Sequence, residues 1–299
     1  MGILNRALLI AAVPILATIG KQIVFYQDDA TVLTKCADQR YSTEILSVDP
    51  LIIHIDNFVN EQEIDYLMHV GEPLFRASQL FDDTQVRSVD TPYRSSSTAF
   101  MPYNDPVCHC VGQRALKFLG FIEHGEYETL QLVRYYPGQE YNLHSDWLHR
   151  PKLSRSPRDE GKEYNRLGSF FTYLGGNATG GETYFPFVNG ATLNADGRKY
   201  AIPASGQGLV VKPTKGSALF WMNLHASNGT GDERTLHAGL PVHSGVKYGM
   251  NVWTKHYKSS PIIGPYESRE DQPDDLNQEI LSERGVLSDL AKSLKHDSE

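Results

Sequence analysis

Basic charge is in deficit in this chain of 299 residues. Twenty-eight Lys and Arg stand against 36 Asp and Glu, a net charge of −8. That balance excludes a protein tracking a nucleic-acid backbone, which needs a basic face. The acid gathers in the tail from Tyr266 onward, so the remainder is closer to neutral. Cysteine is also scarce, with only Cys36, Cys108 and Cys110. Cys108-His109-Cys110 reads as helix, where adjacent positions diverge around the axis, and zinc would need further ligands at suitable spacing. These cysteines therefore read as core or disulfide residues, with one left over from any single pair. No internal repeat is visible.

Long apolar runs are absent except at the N-terminus, where Ala7 to Gly20 lies between Arg6 and Lys21. Fourteen residues fall short of the ~20 that span a bilayer but suit a signal-peptide core of roughly 7–15. Adding Ile23 to Phe25 lengthens the run towards a signal anchor, its basic end kept in the cytosol. The run shows no polar face, unlike a buried amphipathic helix. The expectation is entry into the secretory pathway, with the endoplasmic reticulum as destination, as a lumenal or single-pass membrane protein, and secretion as the alternative. In that setting Asn177-Ala-Thr and Asn228-Gly-Thr are glycosylation acceptors.

What is present is ordinary core material: 40% hydrophobic and 21% charged residues. The expected layout is a leader over 1–25, a stalk over 26–44, a domain over 45–258 and an acidic tail over 259–299. "ILSVDPLIIHIDNFV" predicts one or two strands. "NEQEIDYLMHVGEPLF" predicts a helix, with Asn60 and Glu63 forming a capping box. A second helix starts near Pro106. From Glu128 the pattern turns to eight short β-like runs broken by Gly, Pro and Asn, the signature of a β-sandwich or barrel. The charged insert "LHRPKLSRSPRDEGKEYNR" reads as a mobile loop.

One stretch carries chemistry. In "YNLHSDW", His144 and Asp146 stand two apart, so on a strand both project from one face. His237 lies in a later strand-like run. Two histidines and one carboxylate inside a small barrel make a facial triad with open coordination positions, which suits non-haem Fe(II) oxygenases. Lys247 follows, in a strand start where an unpaired ammonium would be costly to bury. A dicarboxylate chelating the metal at one end could pair with it at the other, helped by a hydroxyl such as that of Tyr135.

Together "LQLVRYYPGQEYNLHSDW", "GGETYFP", "KGSALFW" and "LHAGLPVHSGVKYGMNVWTKH" give an H-x-D…H…K order with a ten-residue step from His237 to Lys247. In these stretches the chain resembles the prolyl 4-hydroxylase group of 2-oxoglutarate- and Fe(II)-dependent dioxygenases. The resemblance implies a double-stranded β-helix (jelly roll) with N-terminal helices packed on one sheet, mainly β with flanking helices. It implies that His144, Asp146 and His237 bind iron and that Lys247 binds the far carboxylate of 2-oxoglutarate, with Tyr135 and Thr183 beside it. Tyr141 and Trp253 would line the reacting site. O2 is the second cosubstrate and L-ascorbate a further expected cofactor. The implied reaction is hydroxylation of a C–H bond, foremost C4 of prolyl residues in a peptide or protein. Two alternatives are an oxygenase of a small metabolite or free amino acid and a non-catalytic β-sandwich binding protein. Leu240 stands where collagen-type enzymes often carry cysteine, and no peptide-binding repeat domain precedes the domain.

Overall fold

A computed structural model describes residues 36, 38–78, 80–81, 87–88, 94–120, 126–156, 159–188, 197–203 and 206–257. The expected leader, most of the stalk and the acidic tail lie outside them. In chain order the strands begin with β1 (Ser42–Val48) and β2 (Leu51–Asp56), followed by helix α1 (Glu61–Gly71). Next come β3 (Arg76–Ala77), β4 (Leu80–Phe81), β5 (Arg87–Ser88), β6 (Ser97–Phe100) and helix α2 (Pro106–Phe118). The second half runs β7 (Gln131–Tyr135), β8 (Tyr141–His144), β9 (Lys152–Leu153), β10 (Glu163–Gly176), β11 (Thr179–Gly180) and β12 (Thr183–Phe185). It closes with β13 (Tyr200–Ala201), β14 (Leu209–Val211), β15 (Ala218–Met222), β16 (His237–Gly239), β17 (Val242–Ser244) and β18 (Lys247–Tyr257). Strand β1 opens ahead of the domain boundary expected at Ile45.

Both helices start where the sequence marks them. The Asn60 side chain accepts from the Glu63 amide at 2.9 Å, and Glu63 accepts from the Asn60 amide at 3.0 Å, completing the capping box. Asp105 caps α2 by accepting from the Cys108 amide at 2.8 Å, with Pro106 in the first turn. Arg114 on α2 clamps Glu63 on α1 through two contacts of 2.6 and 3.0 Å, with both side chains buried. Cys36 and Cys110 form a disulfide that ties the start of the described chain to α2, and Cys108 is a buried free thiol. That outcome fits the reading of the cysteines as structural.

Most of the strands form two facing antiparallel sheets, a jelly roll, while β4 pairs with β5 and β11 with β17 in two-stranded ribbons. The larger has the order β1-β2-β15-β10-β18-β7-β6-β3, with β9 added to β10, and the smaller β13-β14-β12-β16-β8. The central strands of the larger sheet, β10 and β18, are buried on both faces. Phe170 and Phe220 meet Phe118 of α2 on the outer face. Phe171, Leu219 and Trp221 point inward, in a core shared with Phe185 and Val211 of the smaller sheet. A fully buried aromatic such as Phe170 contributes about 2–3 kcal/mol by leaving water, so helix docking and sheet closure reinforce each other.

The charged insert departs from expectation. It is a hairpin: β9 pairs with β10, and Asn165 holds Leu148 through both amide atoms at 2.7 and 2.9 Å. Ser154 is buried and bonded to Tyr257 and Lys255 of β18. Its many charges are spread over two strands and a turn, so composition alone misses the pairing that orders it. Residues 157–158 lie outside the described set.

Candidate metal centre

The three predicted metal ligands come together between the sheets. One ligand atom each of His144, Asp146 and His237 lies within 4.8 Å of the others. His144 ends β8 and His237 opens β16, and the two are direct cross-strand partners. Their rings therefore project from the same face, with centroids 4.3 Å apart. Asp146 arrives differently from the sequence expectation. Strand β8 stops at His144, and Asp146 sits in the bend that follows. The bend, rather than strand alternation, turns its carboxylate towards the two rings.

Backbone carbonyls fix the histidine tautomers. Nδ1 of His144 lies 2.7 Å from the Asn142 carbonyl, and Nδ1 of His237 lies 3.0 Å from that of Thr235. A carbonyl can only accept, so each Nδ1 carries the proton and each Nε2 presents a lone pair inward. Burial, then the neighbouring His237, pushes the His144 pKa down to about 3. Burial likewise lowers that of His237. Both imidazoles are thus neutral, the state a metal takes. Burial raises the Asp146 pKa, but His237 and His144 in their protonated forms, Arg166 and the Ser169 hydrogen bond outweigh it, and the carboxyl is held below its usual range. Two neutral imidazoles and one carboxylate suit a divalent cation of intermediate hardness and leave coordination positions free.

The carboxylate of Asp146 is itself held. Its Oδ2 accepts from the Ser169 hydroxyl at 2.6 Å and from the Trp253 indole N–H at 2.9 Å. The Arg166 guanidinium lies 3.6 Å over the Trp253 ring and makes a two-point ion pair with Glu128 at 2.7 and 2.9 Å. Tyr141 stacks on His144 with centroids 3.5 Å apart, and the Arg94 guanidinium lies over the Tyr141 ring at 4.5 Å.

Lys247 lies against the same core cluster whose Phe185 and Trp221 rings touch His237. It opens β18 directly opposite Tyr135 of β7 and is 3% exposed. Its ammonium lies 5.0 Å from the ring centre of Phe171, 5.3 Å from Tyr135 and 5.8 Å from Tyr173. It makes no hydrogen bond or ion pair among the described residues. Burial pulls its pKa down to about 8, against the opposing charge of Glu182. Thr183 is close by, its hydroxyl 2.8 Å from that of Tyr173. Gly181 lets the lysine stem pass: its φ is +73° and an added Cβ would come 2.9 Å from Lys247 Cδ. Burial raises the pKa of the Tyr135 phenol, so the hydroxyl keeps its proton and can donate.

Residues 130–255, which hold the triad, Lys247 and every strand between, match the model of the 2OG-Fe(II) oxygenase superfamily. Prolyl 4-hydroxylase 1 of Arabidopsis thaliana is 30% identical over 224 residues, 73% of this chain and 73% of that protein. The chain belongs to this family. More narrowly, it is a prolyl hydroxylase-like 2-oxoglutarate-dependent dioxygenase, and Fe(II) and 2-oxoglutarate are its metal and cosubstrate. The alpha-3 subunit of rat prolyl 4-hydroxylase is 31% identical over 216 residues, 72% of this chain but 35% of that subunit. Among solved structures, a viral collagen prolyl hydroxylase from Paramecium Bursaria Chlorella virus-1, in complex with 2OG, aligns with a TM-score of 0.47 and 25% identity. That alignment covers 74% of this chain and 98% of the viral one.

Several residues of the oxygenase's site carry no signal in sequence. Ser169, Asn223, Arg166, Glu128 and Tyr173 sit in runs that read only as strand or loop. Trp253, expected at the substrate, spends its N–H on Asp146 and is 7% exposed. Asn177 and Asn228 are exposed; their side chains accept from the Val246 amide and from Thr230.

Proposed function

We propose that this oxygenase hydroxylates C4 of prolyl residues in a peptide or protein. In this reading Nε2 of His144, Nε2 of His237 and the carboxylate of Asp146 hold Fe(II). Lys247 takes the far carboxylate of 2-oxoglutarate, with the Tyr135 hydroxyl donating to it and Thr183 alongside. Bound iron supplies the oxidising chemistry that couples decarboxylation of the 2-oxo acid to C–H hydroxylation. The chain's own residues orient and exclude. The carbonyls of Asn142 and Thr235 keep the imidazoles in their ligating tautomer, and the aromatic cage keeps water from the ammonium. Tyr141 and Trp253 flank the place where a prolyl ring would approach.

The observation that carries this reading is Lys247, a buried cation with no hydrogen bond or ion pair among the described residues. An anionic ligand would offset the cost of keeping it there. The prolyl substrate is supported by the names of the relatives, which are prolyl 4-hydroxylases of plant and animal origin. The experiment is turnover of proline-rich peptides, against free amino acids, with succinate and peptide mass both followed. Succinate formation coupled to an oxygen-atom mass gain on proline is expected. Removing the Lys247 charge-assisted contact, worth roughly 1.5–3 kcal/mol, should raise the 2-oxoglutarate KM about ten- to a hundredfold in Lys247→Ala. Succinate release driven only by free amino acids would sink the prolyl-peptide reading.

The same proposal places the domain (45–258) in the lumen of the endoplasmic reticulum, directed there by the leader (1–25) as a signal peptide or anchor, with L-ascorbate as reductant. The Cys36–Cys110 disulfide supports an oxidising compartment. Among the described residues no helix is long and apolar enough to cross a membrane.

A further inference from the structure

We infer that Ser169 and Asn223 form a positioning relay that commits one oxygen of Asp146 to the metal and withholds the other, an inference that rests on the iron site proposed above. Distance alone does not separate the two oxygens. Oδ1 lies 3.9 Å from His144 Nε2, and Oδ2 lies 3.8 Å from His237 Nε2. Hydrogen bonding does separate them. Oδ2 receives both Ser169 and Trp253, whereas Oδ1 accepts no hydrogen bond among the described residues. An oxygen with two donors has less electron density to offer, and turning the carboxylate would break both bonds. Oδ1 is the ligand that remains.

The direction of the protons fixes the role of Asn223. Ser169 has a single hydroxyl proton, and at 2.6 Å it is given to the acceptor-only carboxylate. The contact between Asn223 and Ser169 Oγ, at 2.9 Å, must then be an amide N–H donating. The chain runs Asn223 N–H to Ser169 O–H to Asp146, each bond polarising the next. Asn223 is fully buried, and its own Oδ1 has no hydrogen-bond partner among the described residues. An orphaned buried carbonyl is a net cost to folding. An aliphatic residue of similar size would avoid that cost. Packing therefore does not account for an asparagine at this position, and service to Ser169 does. Ser169 lies between Trp221 and Trp253 in the sheet ladder, and the backbone of Asn223 is pinned by bonds to Leu167 and Asp232. Neither residue can drift.

The test titrates the metal-free protein with Mn(II), following loss of the free-ion EPR signal, beside thermal melts of the same samples. Ser169→Ala should weaken Mn(II) binding by about 10- to 100-fold, the usual effect of losing a residue that orients a ligand. Ser169→Thr keeps the hydroxyl and should restore binding to within about threefold. Asn223→Leu should weaken binding by about tenfold while the metal-free melting temperature stays level or rises, because the orphaned carbonyl is gone. A packing role predicts the reverse pattern, lower melting temperatures with unchanged affinity. If Ser169→Ala does not fold, Asn223→Leu decides alone. Wild-type affinity in both variants overturns the relay with the iron site intact; failure of the wild type to bind Mn(II) overturns the iron site and the relay with it.

Discussion

At the scale of single residues, Lys247 links stability to function in opposite directions. Its folded pKa is about 8 against an ordinary 10.5, so the folded protein binds this proton less tightly than the unfolded chain. Below about pH 8 the penalty for burying the charge is fully present; it is relieved as pH rises towards 10.5. The metal-free protein should therefore gain stability across that window, on the order of 3 kcal/mol, and Lys247→Met should flatten the dependence in urea unfolding. Affinity for 2-oxoglutarate should move the other way, falling roughly tenfold per pH unit above 8, because the ligand needs the protonated amine. A calorimetric titration from pH 7 to 10 reads this directly. The lysine and the triad were legible because their spacing repeats a family's order. Ser169 and Asn223 were not, since a serine on a strand and an asparagine after one are among the commonest patterns in any β protein.

At the scale of elements, Glu63 serves two structures at once. It closes the capping box of α1 and carries the ion pair to Arg114 of α2. Among the described residues, Glu63→Ala leaves the buried guanidinium hydrogen-bonded to the Phe58 carbonyl alone, at a cost of about 3–5 kcal/mol. Asn60→Ala removes one cap bond and should cost about 1 kcal/mol. Urea unfolding of the two variants should show that gap, with Mn(II) binding at saturation unchanged in both. The cap was readable because it is local, four residues with one geometry. The partner Arg114 was not, because nothing in a helical stretch says which of its charges will be buried. The long strands were likewise legible from apolar runs between Gly and Pro. Strands β9, β11, β13 and β17, two or three residues each, exist only through the partner they pair with.

At the scale of the molecule, one covalent bond spans 74 residues of sequence, joining Cys36 to Cys110. In the chain-entropy model a loop of that size is worth about 4 kcal/mol, so Cys36→Ser or reduction should lower unfolding free energy by up to that amount. The lumenal reading adds a second outcome to the same experiment. Protein made in a secretory host should carry the disulfide together with endoglycosidase-sensitive sugar on Asn177 or Asn228. A product with all three thiols titratable and no sugar would exclude that compartment. The jelly roll itself was visible as eight runs of strand, but its two-sheet order was not, since register and neighbour choice depend on contacts far apart in the chain.

The pairing of His144 with His237 across β8 and β16 also limits how the gene can change. Strand side chains alternate, so the loss or gain of one codon within either strand turns its histidine to the opposite face. Single replacements along these strands can be absorbed by repacking; a frame of length cannot. The hairpin after Trp147 has no such constraint, because lengthening it moves neither histidine. Descendants of this chain are free to remodel that hairpin by insertion and deletion, while β8 and β16 must keep their residue count.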